Sequence, residues 1–471
     1  MAQAFKEQGG AATMDPGRLL RWLTSKVMTR VCAPQRLQAR RDKAEAARQR
    51  DGAAHVVEYF HQVDDGYSHL AAQMLGALAG RYGIELVVHL VSAPSGDNVP
   101  EPELLARLSR VDAALIAPHF NLRFPAGDTA PAPELVEQAS AILCAQSTSG
   151  FLACAAEVDQ ALWAGDRARM QALATRWGSA SGDLVAERIA AGNTRRRQLK
   201  HYSGAMFFYG DEWYWGVDRL YHLERRLAEL GADQLPTNPA LAPRLPVEPV
   251  QGASASSLTL EFFASLRSPY TAVCFDRVVA FARAAGIKLV LRPVLPMVMR
   301  GVPATREKGM YIFTDAAREA RAAGVAFGNF YDPIGDPVRR AYALYPWACK
   351  QGREVELMSC FLRAAFAEGI NTNKDRGLRY VVEQAGLDWQ QAQDILTADA
   401  RTPQGERDWE NVLEGNREVL YQAGLWGVPS FRLLDQNGRE QLAVWGQDRL
   451  WLVARTIQKL LAEQHVAGTT E

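Results

Sequence analysis

An internal repeat that covers most of the 471 residues constrains the fold of this chain more than any other feature. The order strand, helix, strand, long helical region, hairpin and closing helix is predicted twice, from residue 55 and again from residue 258. Tyr67 and Tyr270 lie 203 positions apart, as do Gly83 and Gly286. Farther along the chain the offset only grows, as it does when one copy of an ancestral duplication gains insertions. The repeat therefore predicts two related α/β domains in tandem.

The predicted elements of the two copies correspond one to one. Strands are expected at 55–60 and 84–91 with a helix at 67–82, and again at 258–263 and 287–293 with a helix at 270–285. Hairpins follow at 204–214 and 430–445, and closing helices at 217–230 and 447–461. The most specific shared string is Trp-Gly-x-Asp-Arg-Leu, at 215–220 and 445–450.

Five prolines between positions 236 and 249, followed by the small residues of 252–257, predict a linker between the copies. We therefore divide the chain into a basic helical arm at 1–52, a first domain at 53–235, a linker at 236–256 and a second domain at 257–465. The apolar residues of the arm, among them Leu19, Trp22 and Leu23, have partly helical spacing. Such a basic helix either contacts a membrane surface or a partner, or forms a solvated extension.

The charge balance and the cysteines exclude several classes of protein. Lys plus Arg number 53 and Asp plus Glu number 53, so no global basic field exists for binding nucleic acid. No run of 18 apolar residues predicts a membrane span, and residues 1–12 lack the apolar run of a signal peptide. The six cysteines form no Cys-x-x-Cys pair, which excludes metal knuckles and a dithiol redox motif. Because so few cysteines are typical of a reducing compartment, we expect a cytoplasmic protein.

Two short motifs in the second copy indicate a site. Ser268, followed by Pro269, stands where the first helix is expected to begin, and the free N–H groups and dipole of a helix N-terminus stabilise an anion such as a thiolate. On its own, this pair is typical of an ordinary N-cap. In the sequence Gly-Val-Pro-Ser at 427–430, Pro429 enters a strand and is a candidate cis-proline, whose flanking backbone can pair with an extended ligand.

With these motifs the second copy resembles the DsbA-like branch of the thioredoxin-fold proteins, and is most similar to 2-hydroxychromene-2-carboxylate isomerases and kappa-class glutathione transferases. Four segments carry the resemblance: FFASLRSPY at 262–270, FAEGI at 366–370, GVPSF at 427–431 and WGQDRL at 445–450. The resemblance implies an α/β protein of two tandem thioredoxin-like (DsbA-like) domains, each with a helical insertion.

The resemblance also implies roles for single residues. The matching serine in that family hydrogen-bonds the sulfur of glutathione and keeps it as a thiolate, which implies a catalytic role for Ser268. The backbone around the cis-proline binds the cysteinyl part of glutathione, which implies Val428 and Pro429. The segment before the last helix holds the γ-glutamyl group, which implies Gln447 and Asp448. A carboxylate at Asp448 equally suits the N-terminus of the last helix.

The chain also departs from the family pattern. The family has an Asn in the loop after the second strand, but residues 297–303 contain none, and Arg300 either replaces it or lies at the surface. In the first copy Asp65 stands where Ser268 stands, and we align Met206 with Pro429. Because a carboxylate repels a thiolate, the first copy is expected to be structural or to shape the substrate site. A thiol-independent site at Asp65 and His61 is the alternative.

These observations predict a glutathione-dependent isomerase or transferase that acts on a small aromatic electrophile. One competing hypothesis is a non-catalytic thioredoxin-fold binding or scaffold protein. Another is a DsbA-like thiol–disulfide oxidoreductase that uses a cysteine outside the usual Cys-x-x-Cys motif. The expected partners are a small-molecule substrate and either the two domains paired as an intramolecular pseudo-dimer or a second copy of the chain.

Overall fold

A computed structural model describes residues 15–125, 128–250, 257–302 and 304–468, with side chains up to residue 463. The predictions that fall on the start of the arm, on residues 252–256 of the linker and on Pro303 lie outside these residues. The chain divides into two compact units: the first unit is Gln38–Leu245, and the second unit joins Met1–Leu37 to Pro246–Glu471. No helix in the described ranges combines the length and apolar character needed to cross a membrane.

The first unit contains a four-stranded sheet in the order β2-β1-β3-β4. Its strands are β1 His55–His61, β2 Ile84–Leu90, β3 Met206–Tyr209 and β4 Glu212–Trp215. The two helices before β1 are α1 Arg18–Cys32 and α2 Pro34–Arg50. The helices that follow are α3 Gly66–Arg81, α4 Pro102–Ile116, α5 Pro133–Cys144, α6 Thr148–Trp163, α7 Arg167–Trp177, α8 Gly182–Gln198 and α9 Gly216–Glu229.

The second unit repeats this sheet in the order β6-β5-β7-β8. Its strands are β5 Thr259–Ala264, β6 Lys288–Pro293, β7 Ser430–Leu434 and β8 Glu440–Trp445. Its helices after α1 are α10 Pro269–Ala285, α11 Arg306–Ala322, α12 Asp336–Ala343, α13 Tyr345–Lys350, α14 Glu354–Arg363, α15 Asp375–Gln384, α16 Trp389–Asp399, α17 Asp408–Gln422 and α18 Leu450–Gly468. The last helix begins three residues later than predicted, because a 3₁₀ turn at Gln447–Arg449 precedes it.

Both sheets have one parallel pair of strands followed by two antiparallel pairs. This arrangement confirms the predicted fold class, a mixed α/β chain with two thioredoxin-like sheets and a helical insertion in each unit. Equivalent side chains pack in the same way: the rings of Tyr59 and Phe207 lie 4.8 Å apart, and those of Phe262 and Phe431 lie 5.3 Å apart. Equivalent strands therefore bring equivalent aromatic side chains together in both sheets.

The segment predicted as one arm at 1–52 is divided between the two units at Leu37. In the first unit, Arg41 of α2 binds the carboxylate of Glu212 at 2.7 Å. Helix α1 packs on α11 of the second unit and buries Arg21, Ser25 and Cys32. The inner face of α1 is thus part of a folded unit, which rules out a fully solvated extension.

Candidate functional site

Ser268 caps the N-terminus of α10. Its Oγ accepts a hydrogen bond from the backbone N–H of Thr271 at 3.2 Å, and Pro269 occupies the first helical position. The Ser268 hydroxyl also donates to the carbonyl oxygen of Val428 at 3.3 Å. The N-cap interpretation therefore holds, and the same hydroxyl reaches a second element of the predicted site.

The peptide bond between Val428 and Pro429 is cis, as the sequence predicted. Pro429 extends β7 by one pair, because its carbonyl accepts the N–H of Gly446 at 2.9 Å. The hydroxyl of Ser430 turns back to the carbonyl of Gly427 at 2.7 Å. These bonds bring the loop to the end of the sheet where α10 begins, so the structure brings Ser268, Val428 and Pro429 together.

Gln447 and Asp448 lie in the 3₁₀ turn that packs on α10, but Gln447 is only 2% exposed. Its Nε2 donates one hydrogen to Glu319 of α11 at 2.9 Å, which leaves one amide hydrogen for the predicted contact with a γ-glutamyl group. Its buried Oε1 has no hydrogen-bond partner among the described residues. Asp448 is partly exposed and lies 3.7 Å from Arg449.

Lys308, a residue that the sequence analysis missed, lies close to the cis-proline loop. Its ammonium stands over the ring of Trp426, 5.6 Å from the ring centre, and Trp426 directly precedes Gly427. Burial lowers the pKa of Lys308 to about 8. No sequence motif marks this lysine, because its burial depends on how α11 packs. Arg300 is half-buried at the turn before α11, so it is not a simple surface residue.

In both units a tyrosine hydrogen bond joins the site helix to the first long helix of the insertion. Tyr270 donates to Asp315 at 2.8 Å, and Tyr67 donates to Asp112 at 2.7 Å. The two tyrosines lie 203 positions apart, and so do the two aspartates. This shared spacing could have predicted the hydrogen bond from the sequence. In the second unit, Arg318 adds an ion pair to Asp315 at 2.6 Å.

In the first unit Asp65 caps α3 with its carboxylate. Its Oδ2 accepts hydrogen bonds from the N–H and the hydroxyl of Ser68, both at 2.9 Å. Burial raises the pKa of Asp65 to about 6, although these two hydrogen bonds act to lower it. At the same end of the first sheet, Gln62 packs closely on Gly204. A Cβ atom added at Gly204 would lie only 2.6 Å from the Cβ of Gln62, so no side chain fits there. No equivalent of the Ser268 hydroxyl is therefore presented there.

The alignment of Met206 with Pro429 is wrong by one residue. Met206 pairs with Phe60 and Trp215, just as Ser430 pairs with Phe263 and Trp445. The residue equivalent to Pro429 is Ala205, whose carbonyl accepts the N–H of Gly216 at 2.7 Å. Residue spacing could not reveal the shift, because it depends on the ladder register.

His61, predicted to share a site with Asp65, faces a different carboxylate. His61 Nε2 lies 3.5 Å from Asp159 Oδ2, and His69 Nδ1 lies 3.7 Å from the same oxygen. All three side chains are buried, and the two histidines outweigh burial and hold the pKa of Asp159 below its usual value. Among the described residues, no group of His, Cys, Asp and Glu side chains is arranged to hold a metal.

The polar atoms of this cluster are close together but poorly hydrogen-bonded. His61 Nδ1 lies 3.2 Å from the hydroxyl of Tyr59, which donates to the carbonyl of Ser68 at 3.0 Å. Among the described residues, His61 Nε2, His69 Nδ1 and both carboxylate oxygens of Asp159 are buried and make no hydrogen bond. The equivalent positions in the second unit, at offsets of 203 and 206, are Ala264, Ala272 and Ala365.

The cysteines provide no activated thiol near α10. Cys274 is buried within α10, and its pKa is raised to about 12 by burial. Burial also raises the pKa of Cys144, Cys154, Cys349 and Cys360, of which Cys349 alone is exposed. A thiol with a raised pKa is a poor nucleophile at neutral pH, which disfavours the hypothesis of thiol–disulfide exchange.

Comparison with known proteins finds a family model that is similar to part of the second unit. Residues 259–458 match the family model of the DSBA-like thioredoxin domain. No curated protein matches the chain. The match begins at β5 and ends within α18, so it covers the whole second sheet and its insertion.

Several solved structures are similar to about half of the chain. A 2-hydroxychromene-2-carboxylate isomerase is 16% identical, with 44% of this chain and 98% of that chain covered and a TM-score of 0.36. The cytosolic disulfide reductase DsbM from Pseudomonas aeruginosa is 15% identical, with 44% and 99% covered and a TM-score of 0.35. A probable DsbA oxidoreductase from Streptomyces coelicolor is 19% identical, with 42% and 89% covered and a TM-score of 0.32.

Proposed function

We propose that the second unit, whose residues 259–458 form a DsbA-like thioredoxin domain, is a glutathione-dependent isomerase or transferase for a small aromatic electrophile. The observation that carries the proposal is the hydroxyl of Ser268, fixed at the N-terminus of α10 and 3.3 Å from the Val428 carbonyl. The family resemblance assigns the sulfur of glutathione to a serine in this position. With a serine at the helix start and no activated thiol beside it, the thiolate has to come from a bound ligand.

The residues around Ser268 suit a thiolate. The hydroxyl can rotate from the Val428 carbonyl to donate to sulfur, and the positive end of the α10 dipole adds positive potential. Both effects lower the pKa of a bound thiol. Glutathione, when bound, supplies a thiolate that can add to an electrophilic carbon.

Fewer side chains are available to bind the γ-glutamyl end of glutathione. Gln447 Oε1 is a buried acceptor without a partner among the described residues, which suits the ammonium of a γ-glutamyl group. Asp448, partly exposed beside it, adds negative charge. Lys308 provides a cation near the cis-proline loop for a carboxylate of the ligand or substrate.

Calorimetry with glutathione on the wild type and on Ser268→Ala tests this proposal. Loss of a hydrogen bond to a charged sulfur costs about 1.5–3 kcal/mol, so we expect roughly 10- to 100-fold weaker binding. Ser181→Ala is the matched control, because Ser181 caps α8 through the N–H of Leu184 at 3.3 Å. The proposal fails if the wild type does not bind glutathione at millimolar concentration, or if Ser268→Ala binds as well as Ser181→Ala.

A cytoplasmic location accords with this proposal. No disulfide joins any of the six cysteines, all of which lie in the described residues, as expected in a reducing compartment with abundant glutathione. The pairing of the two domains as a pseudo-dimer, or of two chains as a homodimer, stays a prediction.

A further inference from the structure

Helix α1 buries polar side chains and exposes apolar ones. Of the nine large hydrophobic side chains that are exposed among the described residues, five lie on this one helix. They are Leu19 (76% exposed), Leu20 (56%), Trp22 (48%), Leu23 (50%) and Val27 (52%). A cluster of this kind on one helix differs from the scattered apolar residues of an ordinary surface and indicates an interaction site.

The orientation of α1 is fixed by hydrogen bonds within the second unit. Arg21 donates to the carbonyls of Asp332 at 2.7 Å and Ile334 at 2.6 Å. The hydroxyl of Ser25 accepts the N–H of Asp332 at 3.0 Å, and the hydroxyl of Thr29 accepts the N–H of Phe330 at 3.0 Å. A rotation that buried the leucines would break these bonds and leave a guanidinium without partners. The apolar side chains are thus held outward by the fold.

The charges on α1 select the type of partner. Arg18, Lys26 and Arg30 are exposed, and no acidic residue occurs between Arg18 and Cys32. Two copies meeting symmetrically through this helix would bring like charges together, which disfavours a second chain as the occupant. A bilayer surface with anionic lipids accepts both the apolar side chains and the cations, and tryptophan suits its headgroup region.

We propose that the outer face of α1 docks the protein on an anionic lipid bilayer, with Leu19, Leu20, Trp22, Leu23 and Val27 at the acyl boundary and Arg18, Lys26 and Arg30 among the headgroups. A helix of 15 residues is about 22 Å long, which is too short to cross the hydrocarbon core. The helix therefore lies in the plane of the interface. This inference does not depend on the glutathione site.

Co-sedimentation of the full chain with vesicles tests the docking. We expect the wild type to bind vesicles of phosphatidylglycerol and phosphatidylcholine, and to bind phosphatidylcholine alone at least tenfold more weakly. Leu23→Glu should reduce binding to the anionic vesicles about a hundredfold, because it replaces a buried apolar contact with a charge that the lipids repel. Leu235→Glu is the matched control, since Leu235 is 48% exposed outside α1, and this variant should bind like the wild type.

Three results would overturn the proposal. They are no binding of the wild type to anionic vesicles, equal loss in the two glutamate variants, and a wild-type dimer in sedimentation velocity that Leu23→Glu converts to a monomer. The last result would assign the face to a second copy of the chain. Both glutamates replace exposed side chains, so circular dichroism should show unchanged folding in each variant.

Discussion

The two units share a sheet, a register and a bridge from the site helix to the insertion, yet their helix N-termini differ. In the second unit Ser268 caps α10, and its hydroxyl lies 3.3 Å from the carbonyl of Val428 in the cis-proline loop. In the first unit Asp65 caps α3, and the loop at Gly204 is packed against Gln62. A carboxylate in place of a neutral hydroxyl keeps the cap but adds a negative charge at the helix start, so the two units cap equivalent helices with different electrostatics.

The units also differ in the buried residues that pack around the site helix. His61, His69 and Asp159 occupy three buried positions of the first unit that are alanines in the second unit. A buried charged cluster costs desolvation, whereas alanines cost none. The interior of the first unit is thus polar at positions where that of the second unit is apolar.

The largest expected effect concerns this cluster. Asp159→Ala should destabilise the first unit by about 3–5 kcal/mol, because it leaves His61 and His69 buried without their carboxylate. The triple variant His61→Ala, His69→Ala, Asp159→Ala, which copies the second unit, should cost less than the single change. Urea unfolding of each variant, monitored by hydrogen exchange of the β1 amides, measures the loss in the free energy of unfolding. A triple variant less stable than Asp159→Ala would contradict this account.

A smaller effect, about 3 kcal/mol, is expected from the titration of Asp65. Its pKa of about 6 in the folded unit exceeds the ordinary 3.8, so the folded state holds the proton more tightly than the unfolded chain. This contribution to stability is complete below pH 3.8 and is lost as the pH rises through 6. Asp65→Asn keeps a capping oxygen, and it should remove this pH dependence from the free energy of unfolding of the first unit.

Two variants make the pH test specific. Asp64→Asn, at the exposed neighbouring carboxylate, should leave the pH dependence of the free energy of unfolding unchanged. Ser268→Asp should give the second unit a pH dependence of the same sign, since it places a carboxyl at the equivalent helix N-cap. If Asp65→Asn and Asp64→Asn give the same profile, Asp65 is not the group that titrates.

The smallest effect is expected at the tyrosine bridges. Tyr67→Phe and Tyr270→Phe should each cost about 1–2 kcal/mol, because each removes a hydrogen bond to a buried carboxylate. Thermal unfolding of the two variants and of the control Tyr380→Phe, at an exposed tyrosine, measures the difference. A cost in one unit only would show that the bridges are not equivalent.

Much of the fold follows from local patterns in the sequence. The strand at His55–His61 and the helix start at Ser268 were predictable because strand periodicity and capping depend on adjacent residues. The cis bond before Pro429 was predictable because proline entering a strand has few alternatives.

The remaining features depend on contacts between distant segments. The position of Ala205 opposite Gly216 is set by the strand register, and the burial of Lys308 is set by the packing of α11. Helix α1 illustrates the same limit, since its partly helical apolar spacing did not indicate that the fold buries Arg21. A hydrophobic pattern indicates which residues share a face, but not which face the fold covers.

The tyrosine bridge also bears on the history of the chain. In each unit the donor and the acceptor are separated by 45 residues, and the acceptor lies on the first long helix of the insertion. If the insertions had entered the two units independently, the same separation and the same pair of residue types would have had to arise twice. A single ancestral unit that already contained this helix accounts for both. On that account the insertion is older than the duplication, and the divergence of Asp65 from Ser268 came after both events.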